Sequence, residues 1–239
     1  MDDVNRLFFQ TWVELPGYAE RIETATKQIR IVCQERRPIL LYSGGKDSLV
    51  LLHLAMQIDP EMPIYHFDNG FDGEKGTWRF PPAIEAEVVR NAELAGARNI
   101  YVRGGGNKGP SARRFFGNLR EVMRATHTDI EMMGLRQAES AGRKRRISDF
   151  VLHEGSRWIS APLKELRTED IWAYILDNDL RYASTYDRYA PLVGWLNARF
   201  TSMFSNAMVP KGGGIVIDSV LFPEHKYAHR PESPEDFAP

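Results

Sequence analysis

Short apolar runs alternate with helical patterns through the middle of the chain, and this alternation restricts the fold more than any other feature. The predicted strands cover residues 38–42, 63–67, 99–102 and 129–134. The predicted helices between them cover residues 49–57, 81–94 and 111–124, where apolar residues recur at steps of three and four. Because strands that alternate with helices pair in parallel, the pattern predicts an α/β protein with a doubly wound parallel sheet.

A predicted helix lies on each side of this region, and beyond Asp179 the pattern of apolar residues becomes too weak to predict further elements. Residues 18–33 carry a helical apolar stripe that includes Cys33, which we therefore expect to be buried. A fifth strand is predicted at residues 157–161, followed by a helix with Thr168 as N-cap and with Trp172 and Tyr174 in the core. The predicted organisation is a helical extension over residues 1–35, a central α/β domain over 36–188, and an extension and tail over 189–239.

Composition narrows the classes of function. The 239 residues carry a formal net charge of -1, so any anion must be bound by a local cluster rather than by a general positive field. No apolar run approaches the roughly 18 residues of a membrane span, and we expect a soluble, cytoplasmic protein with no membrane partner. The single cysteine excludes an internal disulfide and a metal site built from several cysteines of this chain.

A glycine-containing loop joins the first predicted strand to the first predicted helix. It reads Ser43-Gly44-Gly45-Lys46-Asp47-Ser48. The glycines permit a tight turn whose N–H groups can point at one anion, and the helix N-terminus adds partial positive charge. Lys46, Ser43 and Ser48 supply further donors. The loop is therefore predicted to bind phosphate, although it lacks the glycine and hydroxyl positions of the common P-loop.

Three segments in the same order resemble a known family. The loop and the helix after it resemble the pyrophosphate loop (PP-loop) of the ATP pyrophosphatases, specifically the phosphoadenylylsulfate (PAPS) reductase superfamily. Gly134-Leu135-Arg136 with Glu139, Ser140 and Arg143 resembles that family's G-x-R-x-x-E-S-x-x-R segment. Pro162-Leu163 and the Thr168-Glu169-Asp170-Ile171-Trp172 run resemble its P-L…T-x-x-D-[VI]-W helix.

The resemblance implies a Rossmann-like, adenine nucleotide α-hydrolase-like fold that binds ATP, usually with Mg²⁺. The loop would hold the leaving pyrophosphate while a nucleophile attacks the α-phosphorus. Lys46 would neutralise charge on the pyrophosphate, and Asp47 would orient the loop or approach the metal. Asp68 resembles the family's D-T-G aspartate near the nucleoside, with a turn-forming Asp-Asn-Gly as the alternative.

The segment after the fourth predicted strand supplies the other candidate residues. Gly134, Arg136, Glu139 and Arg143 are predicted to contribute to nucleotide binding, and Arg136 also to catalysis. Arginine's planar fork suits phosphate or sulfate, so Arg136 and Arg143 are expected to bind an anion rather than hold the fold. Glu139 would either orient these arginines or meet the metal. Residues 144–146 extend the basic cluster and are either part of this site or a solvated helix face.

One departure from the family separates the functional hypotheses. Sulfonucleotide reductases carry a cysteine near the C-terminus, whereas no cysteine follows Cys33 in this sequence. We therefore favour an ATP pyrophosphatase that adenylates an unknown acceptor. The alternatives are a sulfonucleotide reductase that uses Cys33 or a partner's thiol, and a non-catalytic nucleotide-binding subunit of a sulfur-transfer complex. A homodimer or a larger complex is possible with any of them. His225 and His229 have zinc-ligand spacing without an evident third ligand, so no metal site is assigned.

Overall fold

The structure is a computed structural model that describes residues 1–68, 82–104, 112–198 and 200. Several predicted features lie outside these residues. They are the segment after Asp68, most of the predicted C-terminal extension, and both histidines of the candidate zinc pair.

Eight helices and six strands alternate along the described residues. The helices are α1 (Asp3–Trp12), α2 (Tyr18–Glu35), α3 (Lys46–Met56), α4 (Pro82–Leu94), α5 (Ala112–Thr126), α6 (Ala141–Arg146), α7 (Thr168–Asp177) and α8 (Thr185–Val193). The strands are β1 (Pro38–Tyr42), β2 (Ile64–Asp68), β3 (Ile100–Gly104), β4 (Ile130–Met133), β5 (Val151–Glu154) and β6 (Arg157–Ser160).

The strands form one six-stranded sheet in the order β3-β2-β1-β4-β6-β5. All neighbours pair in parallel except β5 and β6, which form an antiparallel hairpin at one edge. The predicted parallel α/β sheet is confirmed. Strand β5 was not predicted, because its sequence Val-Leu-His-Glu has too short an apolar run to stand out from a loop.

Two apolar layers cover the faces of the sheet. The larger packs α2, α3 and α7 on one face, and Trp172 and Tyr174 lie within it, as predicted. The smaller packs Phe115, Leu119 and Val122 of α5 on the other face. Burial of these layers removes apolar surface from water, which is the main favourable contribution to folding.

Three sequence expectations need correction or extension. Cys33 is only partly buried, although it does pack against the main core. Thr168 is the first residue of α7 rather than its N-cap, a position that Arg167 occupies. Helix α1 and helix α8 were not predicted, and α8 crosses the proposed domain boundary at residues 188 and 189. The domain limits themselves stay a prediction.

The sheet order fixes where a ligand can bind. Strand β1 lies between β2 and β4, so the connections that leave β1 and β4 diverge to opposite sides. In open α/β sheets this switch point opens a crevice at the carboxyl ends of the strands. None of the helices among the described residues is long and apolar enough to cross a membrane.

Candidate functional site

The loop after β1 and the segment after β4 meet at the switch point. Leu41 of β1 lies beside Met133 of β4 in the sheet register, so Gly134 follows directly next to the loop. An alanine Cβ at Gly134 would lie 2.9 Å from the carbonyl carbon and oxygen of Asp47. Backbone atoms cannot yield as a flexible side chain can, so glycine is required for this close approach.

Gly44 bends the loop at its centre. Its φ is 80°, in the left-handed region that side-chain-bearing residues rarely adopt. An added Cβ would also meet Val88 of α4 at 2.6 Å. Helix α4 therefore packs directly on the loop, and both conformation and space require glycine at position 44.

The two serines of the loop stabilise its turn. The Ser48 hydroxyl donates to the Gly45 carbonyl at 2.9 Å and accepts the Ser43 N–H at 3.2 Å. The two hydroxyl oxygens are 3.1 Å apart. Ser48 is buried while Ser43 is exposed, so Ser48 holds the turn and Ser43 faces the open side of the loop.

Lys46 is a buried cation at the start of α3, with a relative exposure of 2%. Its ammonium group donates to the Asp47 carboxylate at 3.3 Å and to the Ala198 carbonyl at 3.1 Å. Its backbone N–H donates to the Tyr186 hydroxyl at 3.0 Å. A buried ammonium that retains its charge needs such partners, and it makes the loop strongly attractive to an anion.

Asp47 joins the two halves of the site. Its Oδ1 accepts a bond from Arg136 Nε at 2.5 Å, while its Oδ2 faces Lys46. Burial favours the neutral acid, but the charges of Lys46 and Arg136 and their hydrogen bonds outweigh it. The pKa of the Asp47 carboxyl is therefore held below its ordinary value, and the group is ionised at neutral pH.

Arg136 contributes more to the stability of the fold than the sequence indicated. Only 2% of the side chain is exposed, and its guanidinium also donates to the Leu166 carbonyl and the Thr168 hydroxyl. It therefore ties the loop after β4 to Asp47 and to the start of α7. The expectation that Arg136 serves an anion rather than the fold needs correction, because a side chain this buried and bonded cannot be removed without loss of stability.

Glu139 orients the second arginine of this segment. Its carboxylate forms an ion pair with Arg143 and accepts the Arg136 N–H at 3.2 Å. Arg143 remains about 39% exposed and faces the cavity described below. Of the two roles considered for Glu139, orientation of the arginines is the one that these contacts support. Arg146 instead pairs with Glu154 of the β5–β6 hairpin, away from the loop.

A cavity of about 240 Å³ lies between these elements. Its walls include most of the predicted site residues, namely Ser43, Gly45, Asp47, Ser48, Gly134, Glu139 and Arg143. This volume is below the roughly 300–1,000 Å³ of typical small-molecule pockets. The described walls therefore suit the phosphate part of a nucleotide better than the whole molecule.

Asp68 does not line this cavity. It ends β2 beside Gly104 of β3, where a Cβ at Gly104 would lie 2.1 Å from the Asp68 carbonyl oxygen. Nearby, His66 lies between the Tyr42 carbonyl and the Glu85 carboxylate, at 2.9 and 3.0 Å. Burial lowers the pKa of His66, but the bond and charge of Glu85 outweigh it and leave the pKa raised. The role of Asp68 near a nucleoside stays a prediction.

Sequence reasoning missed the residues that close the site from the C-terminal side. Tyr186 of α8 is 2% exposed, contacts the Lys46 N–H, and stacks with Phe200 at a centroid distance of 6.0 Å. Burial raises the pKa of the Tyr186 hydroxyl, so it stays neutral. Tyr186 and Phe200 both line the cavity. No motif or periodic pattern after residue 179 marked them.

The donors and the close backbone approaches together fit the phosphates of a nucleotide. Arg143 lines the cavity and supplies positive charge, Lys46 carries a second positive charge at the start of α3 without lining the cavity, and the α3 N-terminus adds its partial charge. The carboxylate of Asp47 is committed to Lys46 and Arg136, and that of Glu139 to Arg143. Among the described residues no group of three or more His, Cys, Asp or Glu side chains could hold a metal ion.

Comparisons with known proteins agree with this fold. A solved structure of Candida glabrata FMN adenylyltransferase, in complex with FAD and inorganic pyrophosphate, aligns with a TM-score of 0.55 at 15% identity, over 79% of this chain and 68% of that one. At this identity the likeness concerns the fold alone, and it confirms the adenine nucleotide α-hydrolase-like architecture.

Two curated relatives share more sequence. A phosphoadenosine 5'-phosphosulfate reductase of Xanthomonas euvesicatoria pv. vesicatoria is 28% identical over 158 residues, which are 61% of this chain and 64% of the relative. Subunit 2 of a Rhodopseudomonas palustris sulfate adenylyltransferase is 32% identical over 135 residues, 54% of this chain and 37% of the relative. The chain thus spans less than two thirds of the length of these relatives.

The family model matches a larger part of this chain than either relative does. The phosphoadenosine phosphosulfate reductase domain matches residues 37–199, from the residue before β1 to the segment after α8. This range contains the loop, the close approach at Gly134 and the Asp47–Arg136 pair. The chain therefore belongs to the phosphoadenosine phosphosulfate reductase domain family.

Proposed function

We propose that this chain binds ATP at the carboxyl edge of the sheet and transfers its adenylyl group to an acceptor, with release of pyrophosphate. The observation that carries this proposal is the cavity that Ser43, Gly45 and Arg143 line at the end of the loop, next to the buried ammonium of Lys46. The acceptor would attack the α-phosphorus, and the bond to the bridging oxygen would break. The electron pair would leave with the pyrophosphate.

In this proposal, different residues of the chain have different roles in the reaction. Lys46 and the α3 N-terminus bind the β- and γ-phosphates and stabilise the charge that develops as pyrophosphate leaves. Asp47 and Arg136 position Lys46, and Arg143 binds a phosphate or acceptor anion from the open side of the cavity. A magnesium ion bound with ATP would supply further neutralisation of phosphate charge.

The position of Cys33 favours adenylyl transfer over sulfonucleotide reduction. Cys33 lies on α2 and packs against the main core, and it does not line the cavity. Burial and the charge of Asp59 raise the pKa of its thiol to about 11, so it is a poor nucleophile at neutral pH. Reduction would need a thiolate from another molecule.

A supporting role in a complex is the second candidate. The Rhodopseudomonas palustris relative is named as subunit 2 of a sulfate adenylyltransferase, so it acts together with another subunit. If this chain behaves in the same way, it would bind ATP alone but turn over only with a partner. Both candidate functions use the same nucleotide site. In the second one, a partner subunit would be needed for turnover.

Isotope exchange between pyrophosphate and ATP tests the proposal. The purified chain should exchange label in the presence of one of three acceptor classes: sulfate, flavin mononucleotide or a nucleic acid. Cys33→Ala should retain the activity. Binding of ATP without exchange under any condition would favour the subunit role. Thiol-dependent sulfite release from phosphoadenylylsulfate, abolished in Cys33→Ala, would overturn the proposal in favour of reduction.

A further inference from the structure

A second cavity lies at the opposite, amino-terminal edge of the sheet. It opens between α5 and the turn that joins β5 to β6, and its volume is about 620 Å³. That value falls within the roughly 300–1,000 Å³ of small-molecule pockets. We refer to it as the amino-edge cleft. Its lining residues include Arg37, Phe116, Arg120, Arg124, Glu131 and Arg157.

The rim of the cleft carries several arginines and one carboxylate, Asp129, which accepts the Arg37 backbone N–H at 2.9 Å and pairs with Arg36. The side chains of Arg37, Arg120 and Arg124 are exposed and form no ion pair with any described residue. Arg120 and Arg124 lie one turn apart on α5, and Arg124 Nε donates to the Arg120 carbonyl at 3.2 Å. The like charges repel each other at this spacing, while Arg124 in the last turn interacts favourably with the helix C-terminus, so the pair as a whole adds little to the stability of α5.

The floor of the cleft holds a buried ion pair. Glu131 of β4 is 3% exposed and accepts a bond from Arg157 Nε at 2.7 Å, with a second bond from Arg157 Nη2 to its other oxygen. Apolar residues at such positions would stabilise the fold as well or better. The two bonds leave the Nη1 donors of Arg157 for a ligand, and the guanidinium is fixed over the Phe116 ring at 4.5 Å.

The α5 wall adds apolar surface beside these charges. Phe116, Leu119 and Met123 all line the cleft, and Phe116 and Met123 are only partly buried. Charged donors at a rim and apolar side chains on a wall are the two parts that recognise an organic anion: the guanidinium forks bind its oxygens, and the wall removes its body from water.

We propose that the amino-edge cleft binds a small organic anion, with its apolar body on α5 and its phosphate or carboxylate group on Arg37, Arg120 and Arg124. The cleft shares no lining residue with the cavity at the Lys46 loop. The strands are parallel at this point, so the two sites lie at opposite ends of β1 and β4. The ligand is thus additional to any nucleotide at the loop, and the inference does not rest on the proposed function.

Calorimetric titration of the full chain with four probes tests the two-part recognition. 1-Naphthyl phosphate and 1-naphthoate carry both parts and differ in the anion, inorganic phosphate lacks the body, and 1-naphthol lacks the charge. At least one of the two complete probes should bind about tenfold or more tightly than the incomplete ones, because 1-naphthol lacks the charge-assisted bonds and inorganic phosphate lacks the apolar surface that the wall would bury. The order of affinity of the two complete probes shows whether the cleft prefers a phosphate or a carboxylate group.

Variants assign the binding to the cleft. Arg120→Glu/Arg124→Glu should weaken the tighter probe by about tenfold or more, and Ser156→Trp, at an exposed position on the cleft wall, should block it without a change of charge. Arg90→Glu/Arg181→Glu, the same charge change at exposed positions elsewhere, should leave the affinity within about twofold, since such charges are screened at a distance. Lys46→Ala should also leave it unchanged.

Three results would overturn the inference. The first is no binding of either complete probe to the wild type. The second is binding that survives both Arg120→Glu/Arg124→Glu and Ser156→Trp, and the third is binding that disappears in Lys46→Ala. Far-ultraviolet circular dichroism of each variant verifies its folding, and the two cleft variants provide independent evidence if one of them is unfolded.

Discussion

The two edges of the sheet use charge in opposite ways. At the carboxyl edge each cation of the site has a partner: Lys46 and Arg136 share Asp47, and Arg143 pairs with Glu139. At the amino edge the rim arginines of the cleft form no ion pair among the described residues. Paired, buried charges hold a geometry fixed, whereas exposed, unpaired charges at a cleft add little to the fold and are available to a ligand.

Replacement of Arg136 gives the largest effect expected from this contrast. Arg136→Ala would leave the Asp47 carboxylate partly buried with only Lys46 beside it, so the free energy of unfolding should fall by about 3–5 kcal/mol. Urea denaturation followed by circular dichroism measures it. Arg145→Ala, at an exposed position of α6, is the matched control and should change stability by less than about 0.5 kcal/mol. A loss for Arg136→Ala as small as the control's would contradict the structural role.

The proposed ligand-binding role of the same edge depends on Lys46. Lys46→Ala should weaken ATP binding about ten- to a hundredfold, because a charge-assisted bond to phosphate contributes about 1.5–3 kcal/mol. Equilibrium dialysis with labelled ATP measures the affinity, and Lys27→Ala removes the same charge at an exposed position of α2 as a control. Unchanged ATP affinity in a folded Lys46→Ala variant would remove the central element of the proposed function.

The charge pairing should also appear in the pH dependence of stability. Asp47 has a folded-state pKa below its ordinary value of 3.8, so its ionised form stabilises the fold above that pH. The difference in unfolding free energy between wild type and Asp47→Asn should be constant near neutral pH. It should shrink as the pH falls through 3.8 towards the lower folded-state pKa. Denaturant titrations across this range measure it, and a difference that grows in acid would show that the sign is wrong.

The smallest effect is expected at the amino edge. Arg124→Ala removes a like-charge neighbour of Arg120, but it also removes a cation from the last turn of α5, so the two small effects oppose each other and stability should change by less than about 0.5 kcal/mol. Thermal unfolding without ligand measures it. A clear loss of stability would mean that Arg124 supports the fold, and the contrast between the edges would then disappear.

Much of the carboxyl edge could be predicted from local sequence. The strand-loop-helix order around Ser43 to Ser48, the parallel sheet, and the proximity of Gly134 to this loop all follow from short patterns and from the rule that parallel strands end at one edge. These features are local because hydrophobic periodicity and glycine conformation act over a few residues. Candidate residues on the loop were therefore accessible without a structure.

Other contacts could not be read from the sequence because they join distant elements. Tyr186 reaches Lys46 across 140 positions, and Arg136 reaches Asp47 across 89. The sequence marked Arg136 as an anion ligand because arginine suits phosphate, but burial and bonding to Asp47 decide that it also supports the fold. No short-range pattern encodes how buried a charged side chain will be.

Residue types at fixed short spacings were enough to identify the class of fold, the family resemblance and the loop that is the candidate phosphate site. Which charges neutralise one another, and which form no ion pair among the described residues, became visible only in the folded molecule. Arg37, Arg120 and Arg157 converge on one cleft from the segment before β1, from α5 and from β6. Charge interactions depend on distance and burial in space rather than on separation along the chain, so these assignments needed the packed molecule.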